Sequence, residues 1–158
     1  MSVTVVQIIQ AILAPAIMIS SCGLIMLGLQ NRYAFIVNRI RLLNEERRRL
    51  VKQFTTQKEL DYAENVRFHS IRKQMEELAR RAFILRNAIL FEIVAVLFFV
   101  LTSFFIALYF FVESSFIEIL PLISFLSGMA SVFIGLILLG REIATAYRVI
   151  TLEIKAEE

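Results

Sequence analysis

Apolar side chains recur along this chain in two rhythms. Residues 3–29, 87–112 and 116–140 are almost unbrokenly apolar. Each stretch exceeds the roughly 20 helical residues, at about 1.5 Å apiece, that the hydrocarbon layer of a bilayer requires. They predict three transmembrane helices. Residues 30–86 behave differently, because their apolar positions advance in alternating steps of three and four. Going away from the first span these are Met26, Leu29, Tyr33, Ile36, Ile40, Leu43, Arg47, Leu50 and Phe54. Coming back they are Phe68, Ile71, Met75, Leu78, Ala82, Leu85 and Ile89. Such spacing is the seam of a coiled coil, so the two spans are expected to continue into an antiparallel helical hairpin.

The sequence Thr56-Gln57-Lys58-Glu59 has the form of a capping box, which starts a helix and sets the turn near residues 54–57. With the turn there, Ile36 faces Met75, Ile40 faces Ile71, Leu43 faces Phe68, and the charged seam residue Arg47 meets Glu64. A pair of amphipathic helices lying on the membrane surface is the competing reading. After the third span, Ile143, Tyr147, Ile150 and Ile154 repeat the spacing, so residues 141–155 are expected to add a third helix to the stalk. No linker or internal repeat divides the chain, and 1–158 reads as one all-α domain.

Composition agrees with a membrane location: 58% of residues are hydrophobic and 14 are Phe, too apolar for a small soluble fold. All 17 Lys and Arg lie between Arg32 and Arg86 or after the third span. By the positive-inside rule this puts the N-terminus outside, with the hairpin and C-terminus in the cytoplasm. The start is not expected to be a cleaved signal or lipoprotein leader, since no basic residue precedes Cys22 and the apolar run continues to Leu29. Cys22 reads as a small packing residue.

Large side chains gain nothing by associating in lipid, so small and polar residues mark helix contacts there. In the third span Ser124, Ser127, Gly128, Ser131 and Gly135 form such a stripe, with Glu142 at its end. The first span has two, Gln7, Gln10, Ala14, Ser21 and Gly28 on one face and Ala16, Ser20 and Gly23 on another, with a kink expected at Pro15. The second span carries one carboxylate, Glu92, which continues the Ile71, Leu78, Leu85 spacing and so faces protein. Its expected neighbours are Ser20 and Arg141. It is either a buried structural tie or a proton or cation site, both common roles for intramembrane charges.

No phosphate loop, metal cluster or nucleophile motif is visible, so the residues point to neither an enzyme nor a cofactor. His69 falls on the hairpin surface. Leu13-Ala14-Pro15, Asn31-Arg32, Val37-Asn38-Arg39-Ile40-Arg41 and Arg141-Glu142-Ile143 resemble the prokaryotic membrane proteins grouped as domain of unknown function 2721. That resemblance implies an inner-membrane protein and supplies no catalytic residues. Two functions remain open. One is a homo-oligomer whose stalk assembles subunits or docks a cytoplasmic protein, the block Glu45-Glu46-Arg47-Arg48-Arg49 being a candidate surface. The other is an ion-conducting or proton-coupled pore lined by the first helix. Lipid and a second copy of the chain are the expected partners; a nucleic acid is not.

Overall fold

The computed structural model describes the backbone of residues 5–57, 62–111 and 118–156, and within these the side chains of 9–52, 66–109 and 118–146. The described residues form three helices: α1 (Val5–Gln57, 53 residues), α2 (Tyr62–Phe111, 50 residues) and α3 (Leu120–Ala156, 37 residues). At about 1.5 Å per residue they measure roughly 80, 75 and 55 Å. All three are long and apolar enough to cross a membrane.

Each helix runs without interruption from its apolar part into its charged part. The charged parts are rich in Arg, Leu, Glu and Gln, which are good helix formers, and contain no Gly or Pro. Pro15 is buried inside α1, which continues through it. Pro121 falls in the first turn of α3, where its missing N–H would have no partner anyway.

The central helix is α2, packed antiparallel on α1 along one side and on α3 along the other, while α1 and α3 scarcely touch. The burial pattern of α1 is a strict heptad, Pro15, Cys22, Leu29, Ile36 and Leu43, a single line matching a single neighbour. The buried positions of α2 are Ile71 and then, more densely, Leu85, Ala88, Glu92, Ala95, Phe99 and Thr102, where that helix serves two neighbours. Leu29, Ile36, Leu85 and Ala88 form one apolar cluster with Tyr33, Ile40, Leu78, Ala82, Leu138 and Leu139 around it. Cys22, Ala95 and Phe99 form a second, flanked by Met18, Ile19, Val96, Phe125 and Val132.

The hairpin register differs from the expected one. Thr55 and Thr56 remain inside α1, which runs to Gln57, so the capping box does not end that helix; residues 58–61 lie outside the described residues. Glu46 consequently meets Arg67 and Cys22 lies beside Glu92, each about two or three residues further along α2 than a turn at 54–57 would give. In this register Leu29 and Ile36 of α1 share one cluster with Leu85 and Ala88 of α2, and Leu43 and Ile71 are buried as well. The continuation of α3 to Ala156 is helical, but the side chains of Tyr147, Ile150 and Ile154 lie outside the described residues.

Candidate functional site

Among the described residues two carboxylates, Glu92 and Glu142, are enclosed by the helices, and they are treated in opposite ways. Glu92 shares the inward heptad row of α2 with Leu85 and Phe99, and its relative exposure is 0%. Cys22 of α1 lies beside it. From the other side comes Gly135 of α3, where an added Cβ would sit 3.0 Å from Glu92 Oε1 and 3.5 Å from the Ala88 carbonyl oxygen. A side chain there would oblige the carboxylate to give by a few tenths of an ångström. Neither Glu92 oxygen accepts or donates a hydrogen bond among the described residues.

The expected neighbours of Glu92 are elsewhere. The Ser20 hydroxyl is exposed and donates to the Ala16 carbonyl of its own helix (3.2 Å). Arg141 is exposed, and the residue after it takes the inward position. The cause is helical phase: Ser124, Gly128, Ser131 and Gly135 advance by threes and fours, and the same rhythm turns Glu142 inward. Arg141, about 100° away on the wheel, is then turned outward.

Glu142 is the fully paired carboxylate. It is 2% exposed, and its Oε1 accepts from Arg81 Nη2 at 2.7 Å and Nε at 3.0 Å. Arg32 Nη1 of α1 stands 3.6 Å from Oε2. One side chain of α3 thereby ties α2 and α1 together at the level where the apolar runs end. The sequence did carry a signal for it, since Glu142 continues the small-residue stripe of α3. Arg81 lies beside the α2 seam residue Ala82.

The stripe on α3 faces α2. Ser124 donates to the Phe98 carbonyl (2.9 Å) and Ser131 to the Phe91 carbonyl (2.6 Å), both across the interface. A Cβ on Gly128 would come 2.8 Å from the Phe99 ring, itself held against Phe125 with centroids 5.5 Å apart. Ser127 bonds within its own helix to Ile123.

The first helix is the exception. Gln10, Ala14, Ser21 and Gly28 are all exposed, as are Ala16, Ser20 and Gly23 on the second face. Nothing lies within 4 Å of a Cβ added at Gly23 or Gly28, and Ser21 bonds to its own Ile17 carbonyl. The side chain of Gln7 lies outside the described residues. So does that of Glu64, the expected partner of Arg47. Arg47 is exposed, and among the described residues Arg67 pairs with Glu46 across the two helices, forked at 2.9 and 3.2 Å. Its hydrogen bonds hold the Glu46 carboxyl below the usual carboxylate range and push the Arg67 guanidinium up.

Among the described residues no group of His, Cys, Asp and Glu is placed to hold a metal ion. No curated protein and no solved structure matches the chain. A family model does match, over residues 12–152, and so takes in all three helices, Glu92 and the Arg32–Glu142–Arg81 tie. The chain belongs to the family described as "Protein of unknown function (DUF2721)".

Proposed function

We propose that the protein is a non-enzymatic, homo-oligomeric membrane protein whose subunits meet through α1, its N-terminus outside and its helical hairpin in the cytoplasm for assembly or partner docking. The observation that carries this reading is the contrast between the small and polar residues of α3 and those of α1. The first are used up against α2, whereas Gln10, Ala14, Ser21 and Gly28 are exposed. In lipid such a face gains little until another helix covers it. A second copy of the chain is the fitting cover, because the Gln10 amide both donates and accepts and two copies can satisfy each other across a symmetric contact.

The test uses Gly28→Leu, at an exposed position where an added Cβ meets nothing within 4 Å among the described residues, so the fold of the subunit is expected to be spared. In neutral detergent the unmodified protein is expected to sediment as an oligomer and Gly28→Leu as a smaller species. A monomeric unmodified protein, or a variant of unchanged mass, defeats the reading.

A second reading is favoured by Glu92. A buried carboxylate with only the Cys22 thiol beside it and no hydrogen bond of good geometry among the described residues is costly, and in membrane proteins such groups often mark proton or cation paths. On that reading the reconstituted protein carries a proton or cation flux, and Glu92→Gln abolishes the flux while leaving assembly intact.

A further inference from the structure

The Arg32–Glu142–Arg81 tie borders an open hollow of about 310 Å³ lined by Asn31, Arg32, Phe35, Ile36, Arg81 and Glu142. We propose that this hollow binds the phosphate of an anionic phospholipid headgroup, with Arg32 as its principal ligand.

Charge is the first reason. Two guanidinium groups share one carboxylate, which leaves one positive charge uncompensated within the cluster. The sharing is also uneven. Arg81 takes both hydrogen bonds to Oε1, whereas Arg32, at 3.6 Å from Oε2, is an ion pair beyond hydrogen-bond length. Arg32 therefore keeps its planar fork of donors for another anion, the geometry that suits a phosphate. Its side chain is 53% exposed, open to the hollow's surroundings yet aligned by Glu142 behind it.

Position and surroundings select a lipid over a free anion. Arg32 follows closely on the end of the first apolar run at Leu29, and Arg86 and Arg141 end the neighbouring charged stretch and third run at a comparable level. A phosphate there lies at headgroup depth, where basic pockets between membrane helices hold acidic lipids. Phe35, on the rim of the hollow, is 74% exposed. A large apolar side chain beside a cationic pocket suits the acyl end of the same molecule, while a free phosphate has no use for it. Asn31, also in the lining, adds a neutral donor. The proposal needs a single subunit and stands independently of the oligomer.

The experiment titrates dioleoylphosphatidylglycerol into the full chain in dodecyl maltoside and reads the thermal unfolding midpoint, which a ligand specific for the native state must raise. Dioleoylphosphatidylcholine and inorganic phosphate are the two control titrants. The expected result is a saturable rise with phosphatidylglycerol alone. Arg32→Gln should need about tenfold more of that lipid for half the effect, as loss of a charge-assisted hydrogen bond implies. Arg86→Gln, whose guanidinium lies over the Phe83 ring at 4.7 Å, should respond as the unmodified protein does. Should Arg32→Gln not fold, Phe35→Ser decides, with a comparable weakening expected. The proposal is overturned if phosphate alone reproduces the rise, if phosphatidylcholine does so, if no titrant acts, or if the deciding variant responds normally.

Discussion

The two sides of α2 are built on different principles. Against α1 it presents a ladder of large aliphatic side chains, in which Leu29, Ile36, Leu43, Ile71 and Leu85 are all at most 3% exposed. Against α3 it presents backbone carbonyls and aromatic edges, met by serine hydroxyls and glycine. Water explains the first arrangement. Much of the α1–α2 contact lies in the charged hairpin, where burying Leu and Ile removes apolar surface from water at about 25 cal/mol per Å². The α2–α3 contact lies in the apolar runs, where lipid is as apolar as leucine and close packing with interhelical hydrogen bonds has to serve instead.

The comparison is most easily broken at Gly128. Leucine there would have to displace Phe99, which is fully buried and packed against Phe125, and a loss of about 3 kcal/mol is expected from overpacking. Gly140→Leu meets nothing within 4 Å and should change the unfolding midpoint little. Equal effects from the two would show that α3 does not rest on close approach.

A complementary substitution sharpens the hairpin side. Leu43→Ala empties a position 2% exposed and should cost at least about 2 kcal/mol, the low end for a buried leucine. Leu42→Ala, next to it but 59% exposed, should stay within about 0.5 kcal/mol. Denaturant unfolding of the three proteins in one detergent measures both. A matching loss from Leu42→Ala would mean that the seam runs along a different face.

The smallest effect belongs to the surface pair Glu46–Arg67. Because hydrogen bonds from Arg67 depress the folded-state pKa of Glu46, its contribution is present above the ordinary carboxylate pKa of about 4.3. It is lost as pH falls through the depressed value. Both side chains are about half exposed, so salt and solvent screen the pair. The unmodified protein should therefore lose slightly more of its thermal stability than Arg67→Gln between neutral pH and about pH 3. Identical acid profiles would show that the pair contributes nothing.

Periodicity made much of this arrangement legible. Unbroken apolar runs longer than a bilayer is thick read as helices, since a helix satisfies the backbone within its own segment and the alternation of a barrel strand is missing. The three-and-four spacing of Leu29, Ile36, Leu43, Ile71 and Leu85 named the buried faces because helical phase accumulates by a fixed angle per residue. The same rule placed Ser131, Gly135 and Glu92 against protein. Local pattern failed where it had to choose between neighbours in space. Thr56 and Glu59 have the residues of a capping box, yet α1 continues past Thr56 to Gln57; a cap is worth only about 1 kcal/mol, little beside the burial of Leu29, Ile36, Leu43, Ile71 and Leu85 in the two helices.

The choice of partner for each charge was also a tertiary decision. Sequence determined that Glu92 faces inward, that Glu142 ends the α3 stripe, and that basic residues gather where the apolar runs end. It did not determine which carboxylate an arginine would reach. The distance between helices and their relative rotation set Arg81 and Arg32 on Glu142, and left Glu92 beside Cys22 and Gly135 with neither oxygen hydrogen-bonded among the described residues. A side chain's direction follows from its own helix, but its partner follows from where another helix has come to rest, and that is fixed by the packing of all three together.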